Sequence, residues 1–160
     1  MLRVVLVQPE IAPNTGNVAR LCVCNGLQLH LVHPLGFRIL DKNLRRAGMD
    51  YWQHLDLVEH ADLDAFLASL PPDARLRWFS TKSETAHWDE TYQDGDWLVF
   101  GSESRGLPDR LRLDHPQGWV KIPMPGDFVR SLNLSSSVAV GVYEALRQTR
   151  SAHVSLGGVS

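Results

Sequence analysis

Cysteine is nearly absent from this chain: Cys22 and Cys24 are its only two thiols among 160 residues. They lie two positions apart in an apolar, helix-like stretch and so point in different directions. They make no disulfide framework. Without further cysteines or a close histidine pair, they make no metal site either. The expectation is two buried thiols in a reducing cytosol, hence a cytoplasmic protein. No apolar run approaches the ~20 residues that cross a bilayer. The early run Val4–Val7 is followed too soon by Glu10 for a secretory leader, and no cleavage site follows it. No membrane partner is expected. Internal repeats and linkers rich in Gly, Ser or Pro are also lacking. This predicts one domain over residues 1–150 and a flexible polar tail over 151–160.

What is present is ordinary in bulk and uneven in detail. At 18.0 kDa the chain is one domain's worth of sequence, long enough to bury roughly 68–70% of its unfolded surface without staples. Hydrophobic residues make up 44% and charged residues 21%, which excludes a disordered or low-complexity chain. The net charge is −2, so bulk charge does not tie the protein to nucleic acid. Yet 13 of the 16 cations are arginine, the side chain that grips phosphate with a planar fork. Arg38, Lys42, Arg45 and Arg46 cluster with only Asp41 opposing them. Segments 56–64 and 84–96 hold nine of the 18 acids. A local basic face on an acidic chain is therefore expected. The seven histidines are scattered; His30 and His33 fall on opposite faces of a strand, and no metal site is expected.

Periodicity gives alternating elements. Residues 2–8 and 27–33 read as buried strands around a helix over 15–25, with Asn14 as N-cap and Gly26 just past its end. That spacing favours a parallel pair. A short basic helix is expected over 42–47, capped by Asp41 and ended by Gly48. A strand is expected over 54–59 and a helical face over 62–70, stopped by Pro71-Pro72. Strands at 75–81, 96–101 and 118–122 and a final helix over 131–149 complete the pattern. The class is α/β with a mostly parallel sheet and flanking helices.

Familiar phosphate and nucleophile motifs fail. The G-x-G-x-x-G fingerprint is missing. Gly101 to Gly106 has P-loop spacing, but Leu107-Pro108 stand where Lys-Ser/Thr would be needed. The same stretch is one residue too long for a G-x-S-x-G elbow. Asn133-Leu-Ser135 matches a glycosylation acceptor without a secretory signal. Three loops survive, each at the C-terminal end of an expected strand, where open α/β sheets bind ligands. They are Asn14 to Arg20, Phe100-Gly-Ser-Glu-Ser-Arg-Gly-Leu-Pro108, and Ile122-Pro-Met-Pro-Gly through Arg130-Ser-Leu-Asn-Leu-Ser135. Taken singly, Asn14, Ser131 or Asn133 reads as a helix cap, and the glycines as turn residues.

Together these loops resemble the three motifs of the SPOUT superfamily of RNA methyltransferases, in its ribose 2′-O-methylating branch. The resemblance spans about residues 1–150. The segment Leu44-Arg-Arg-Ala-Gly-Met-Asp-Tyr51 and the short length are similar to the bacterial members that act on the wobble nucleotide (cytidine or uridine 34) of tRNA without an added RNA-binding domain. The resemblance implies a deep trefoil knot from about 75–150, which periodicity alone does not reveal. It also implies a homodimer with helices 14–25 and 131–149 near the interface, and S-adenosyl-L-methionine as cofactor, leaving as S-adenosyl-L-homocysteine, with no metal. The implied cofactor contacts are Phe79, Ser80, Thr81, Gly101, Glu103, Gly106, Ile122, Met124, Ser131 and Leu132.

The resemblance further implies Arg20 as the central catalytic residue, supported by Asn14, Glu103 and Asn133. An arginine normally keeps its proton, so Arg20 is expected either as a strongly perturbed base or as a holder of phosphate and developing alkoxide; spacing alone would make it one half of a helix-surface salt bridge. RNA binding would fall to Arg38, Lys42, Arg45, Arg46, Lys82, Arg105 and Arg130. Tyr143 has two open roles, core or dimer contact. Other readings are methylation of another tRNA or rRNA ribose, a non-catalytic cofactor-binding RNA-binding protein, and a nucleotide-binding α/β domain, which here lacks its phosphate loop.

Overall fold

Hydrophobic β-branched runs buried on both faces are the mark of parallel strands covered by helices, and β1 (Arg3–Val7) is such a run, with Val4 to Val7 all buried. In the computed structural model, which describes residues 1–39 and 51–150, five more strands join it. These are β2 (Gln28–Val32), β3 (Leu57–His60), β4 (Leu76–Phe79), β5 (Trp97–Phe100) and β6 (Trp119–Val120). The sheet order is β3-β2-β1-β5-β4-β6 and every pairing is parallel. Val4 pairs Leu29 on one side and Leu98 on the other. The chain builds outward from β1 through β2 to β3, then crosses over and builds the other half. The strand order therefore reverses between β1 and β5, the place where doubly wound sheets open a ligand crevice.

Two helical layers cover the sheet. Helices α1 (Ala12–Asn25) and α4 (Leu134–Thr149) pack on one face around Leu6, Leu31, Leu98 and Val138. Helices α2 (Leu63–Ser69) and α3 (Arg110–Asp114) sit with Val5, Trp78, Val99 and Leu111 in the other core. Gly26 ends α1 in the left-handed conformation (φ 60°), its N–H on Val23 O and the Leu27 N–H on Cys22 O. Asp62 caps α2, with Oδ1 accepting from Ala65 N at 2.7 Å. Gly141 lets α4 ride directly on the stacked rings of Phe79 and Phe100, whose centroids are 4.4 Å apart. A Cβ at Gly141 would stand 2.8 Å from the Phe79 ring. The far end of α4 is tied to the segment between β4 and β5: Gln148 accepts from Tyr92 N and donates to Glu90 O, both at 2.9 Å.

Several boundaries differ from the sequence reading. Helix α1 starts at Ala12, with Ile11 as N-cap; Asn14 lies inside the first turn and is not the cap. Pro13 is tolerated there because the first-turn N–H groups have no intrahelical partner. Cys22 is buried but Cys24 is exposed, as two positions on one amphipathic helix require. The strand expected over 54–59 is displaced to 57–60, because Trp52–His54 forms a 3₁₀ turn. Helix α3 was not anticipated. Helix α4 starts later than expected, at Leu134, with Asn133 as its N-cap. The helix expected over 42–47, with Lys42, Arg45 and Arg46, and the tail 151–160 lie outside the described residues.

On the α2 face a polar pair sits among aromatic rings. His30 Nδ1 and His60 Nε2 are 2.8 Å apart, and both rings are buried against Phe66. His30 Nε2 is 2.8 Å from Gln28 Oε1, and the Gln28 amide donates to Asp56. Burial, then the neighbouring His60, pulls the His30 pKa down to about 4; burial lowers that of His60 as well.

Candidate active site

The three loops chosen from sequence meet at the C-terminal edge of the sheet, around one cavity of about 630 Å³. This is within the range of small-molecule sites. Loop 101–109 is folded on itself by its two glycines. Gly106 has φ 66° and its N–H donates to Ser102 O at 2.9 Å. A Cβ at Gly101 would stand 2.1 Å from the Gly106 carbonyl carbon, so only glycine fits. A Cβ at Gly106 would meet nothing within 4 Å, so its backbone faces open space.

All ten residues expected to touch the cofactor line this cavity: Phe79, Ser80, Thr81, Gly101, Glu103, Gly106, Ile122, Met124, Ser131 and Leu132. Asn14 and Asn133 line it too, as do Lys82, Arg105 and Arg130. Lys82 pairs with Asp109 at 3.3 Å. Arg105 and Arg130 make no ion pair among the described residues. Arg38 is exposed and, like Arg20, does not line the cavity. Arg20 lies on α1 six residues past Asn14, a rise of about 9 Å along the helix. The salt bridge that spacing alone suggested for Arg20 is absent among the described residues; its guanidinium instead lies over the Tyr51 ring, 4.9 Å from the centroid. Tyr143 is 56% exposed on α4 and is not core.

A chain of hydrogen bonds joins the loops. Glu103 Oε2 accepts from Glu10 N at 2.7 Å, and Oε1 accepts from Ile11 N at 3.1 Å and from the Asn14 amide at 3.3 Å. Asn14 Oδ1 accepts from Asn133 Nδ2 at 2.9 Å. Asn133 Oδ1 accepts from the Ser135 N–H and hydroxyl, capping α4. Ile11 has no side chain to cap α1, and the remote carboxylate of Glu103 takes up N–H groups just ahead of it, where negative charge is favoured. Glu10 answers in the other direction. It accepts from the Ser104 hydroxyl and N–H, chiefly the hydroxyl, which lowers its carboxyl pKa.

Sequence reasoning missed part of the wall. Ser104 belongs to the second quoted loop, but Glu10, which interlocks with it, lies outside all three. Arg112 lines the cavity and stacks on Trp119 at 4.7 Å. The signal for its helix was Pro108-Asp109 just before Arg110, an ordinary helix start. Among the described residues no group of three or more His, Cys, Asp or Glu is placed to hold a metal ion.

Comparison with known proteins agrees with this geometry. The family model described as SpoU rRNA Methylase matches residues 1–143. The tRNA (cytidine(34)-2′-O)-methyltransferase of Burkholderia cenocepacia is 51% identical over 150 residues, covering 92% of this chain and 96% of that protein. A solved structure concerned with the 2-OH methylation of C/U34 on tRNA superposes with a TM-score of 0.88 at 50% identity, covering 92% of this chain and 95% of the other. The SpoU methyltransferase AviRb of Streptomyces viridochromogenes, solved with its cofactor AdoMet, shares the fold at a TM-score of 0.79 and 23% identity. The match covers 96% of this chain and 59% of that one. A six-stranded parallel sheet, a cavity ringed by all three motif loops and a family match over most of its length place the chain in one group: it belongs to the SpoU rRNA Methylase family.

Proposed function

We propose that this protein transfers a methyl group from S-adenosyl-L-methionine to the ribose 2′-oxygen of nucleotide 34, the wobble position, of tRNA. The observation that carries this reading is the half-identity to C34 methyltransferases along nearly the whole of both chains.

The cavity fits the cofactor. Its volume suits a nucleoside with a side arm, Gly106 opens a backbone face to it, and Gly101 keeps the loop tight behind that face. Ile122 and Leu132 supply apolar walls suited to an adenine ring, while Phe79 to Thr81, Met124 and Ser131 complete the contacts. The bound cofactor supplies a methyl group already activated on a sulfonium. The protein's task is then to position the 2′-oxygen and exclude competing water. Glu103 is committed to Glu10, Ile11 and Asn14 and acts by holding the loops in register. Asn14 and Asn133 carry that register to the start of α4.

Arg20 grips the substrate phosphate and offsets charge growing on the 2′-oxygen. Because Arg20 lies off its own cavity, a homodimer packed through α1 and α4 would bring it to the site of the second subunit. Exposed Ile11, Val140 and Tyr143 offer apolar surface for that contact. The family resemblance carries the trefoil knot over about 75–150; within that stretch the end of α4 is held by Glu90 and Tyr92, in the segment between β4 and β5. Arg38, Lys42, Arg45, Arg46, Lys82, Arg105 and Arg130 bind the tRNA backbone, in the cytoplasm where the substrate resides.

The test is transfer of labelled methyl to total bacterial tRNA, mapped by nucleotide. Label on the 2′-oxygen of nucleotide 34 upholds the reading. Label on another ribose keeps the chemistry and rejects the substrate. Cofactor binding with no transfer to tRNA or rRNA rejects catalysis.

A further inference from the structure

The Arg20–Tyr51 stack joins two parts of the chain that the site description leaves separate. Arg20 projects from α1 and is exposed; its guanidinium carbon is 4.9 Å from the Tyr51 ring centroid. That is within the ~6 Å over which a ring face attracts a cation. Tyr51 is itself well held. Its carbonyl accepts from His54 N at 2.9 Å, it caps the 3₁₀ turn Trp52–His54, and Trp52 and Leu55 pack against the core beneath α1. The backbone that carries the ring is thus held by the 3₁₀ turn and its packed neighbours, while Arg20 is a long side chain with several free torsions.

An exposed arginine that must meet one oxygen loses much of its effectiveness to its own rotamer freedom. Stacking on a ring removes that freedom. It leaves the in-plane N–H donors free to point at phosphate or alkoxide, because stacking uses only the guanidinium face. We propose that Tyr51 is the positioning residue for Arg20: its ring holds the guanidinium flat and aimed, so that the residue reaches the substrate oxygens already oriented. Tyr51 also closes the segment that begins at Leu44 and contains Arg45 and Arg46. This inference rests on the catalytic role of Arg20 given above.

The experiment compares Tyr51→Leu, Tyr51→Phe, Arg20→Lys and the double variant Arg20→Lys/Tyr51→Leu in the full-length protein. It uses an anticodon stem-loop of an accepted tRNA, with kcat and KM measured separately. Cofactor affinity and thermal midpoint are recorded for each. Tyr51→Leu is expected to lower kcat between about ten- and a hundredfold, the scale of a misplaced catalytic group, with cofactor affinity unchanged. Tyr51→Phe keeps the ring and is expected to retain kcat within about threefold. Arg20→Lys loses the planar group, so adding Tyr51→Leu to it should lower kcat little further. A Tyr51→Leu variant with normal kcat, or a double variant whose losses multiply, overturns the inference. An Arg20→Lys variant of full activity would instead overturn the catalytic role of Arg20, whatever Tyr51 does. A fall in thermal midpoint shared by Tyr51→Leu and Tyr51→Phe, with kcat restored in both at low temperature, would assign Tyr51 a structural role and reject the proposal.

Discussion

The backbone N–H of Glu10 donates to Glu103 Oε2 at 2.7 Å, across 93 positions of sequence. Glu103 stands in a cavity-lining loop and would pass for a general base. Its carboxylate is instead engaged by two backbone N–H groups and the Asn14 amide. A group so committed holds two loops together.

Glu103→Ala should therefore lower stability, by about 1–3 kcal/mol for the N–H groups left without an acceptor. It should also weaken cofactor binding. Urea denaturation beside calorimetric titration checks this. A variant that loses methyl transfer at unchanged stability would instead give Glu103 a part in the chemistry.

Gly101→Ala should nearly abolish cofactor binding. The added Cβ would fall on the Gly106 carbonyl and the Leu107 N, and backbone cannot yield as a side-chain tip can. Gly126→Ala, whose Cβ would meet nothing within 4 Å, is the control and should bind normally. Equilibrium titration with S-adenosyl-L-homocysteine reads both.

Acid should destabilise the protein through the His30–His60 pair. The unfolded chain protonates His30 near 6.5, whereas the folded chain holds it neutral down to about 4. Between those values the unfolded state carries the extra proton, so stability falls as pH falls and levels off below about 4. The loss reaches about 3 kcal/mol at most, at 1.36 kcal/mol per pH unit. His30→Gln should flatten this slope in denaturation curves recorded from pH 7 to 4.

Charge reversal at Arg105 or Arg130 should weaken tRNA binding uniformly across sequences. Each lost phosphate contact should reduce the salt dependence by a slope of about 1. Binding isotherms at several salt concentrations decide it. Reversal of Arg45 and Arg46 without effect on tRNA affinity would remove that pair from the interface.

Phe128 is fully exposed and Val129 is 72% exposed, in the loop between Met124 and Arg130. Phe128→Ser should change stability by less than about 0.5 kcal/mol. A larger loss in thermal denaturation would mean that a second copy of the chain covers this loop.

Much of this was legible beforehand. The period-2 and 3.6 patterns placed β1, α1, β2, α2 and α4 within a few residues, and the ten residues that the resemblance implied as cofactor contacts all line one cavity. Asn14 was misread as a cap because its residue type suits one; the helix starts earlier, at Ala12 with Ile11 as N-cap, and the Asn14 amide instead donates to Glu103, a contact that no local window contains. The end of the 3₁₀ turn Trp52–His54 was hidden because the alternation of His54-Leu55-Asp56-Leu57 begins inside it. Arg20 carries no local sign of Tyr51, since the two meet only when the 3₁₀ turn packs against α1. The sheet order likewise depends on pairings between strands far apart in the chain, and periodicity is silent on these.

Gly141 does not line the cavity, yet the rings it supports, Phe79 and Phe100, form part of the cavity wall. The depth of the pocket is thus set from behind, by a hydrogen atom on the far side of two aromatic rings. The room in the cavity depends on a position outside its lining, and a search confined to lining residues would overlook it.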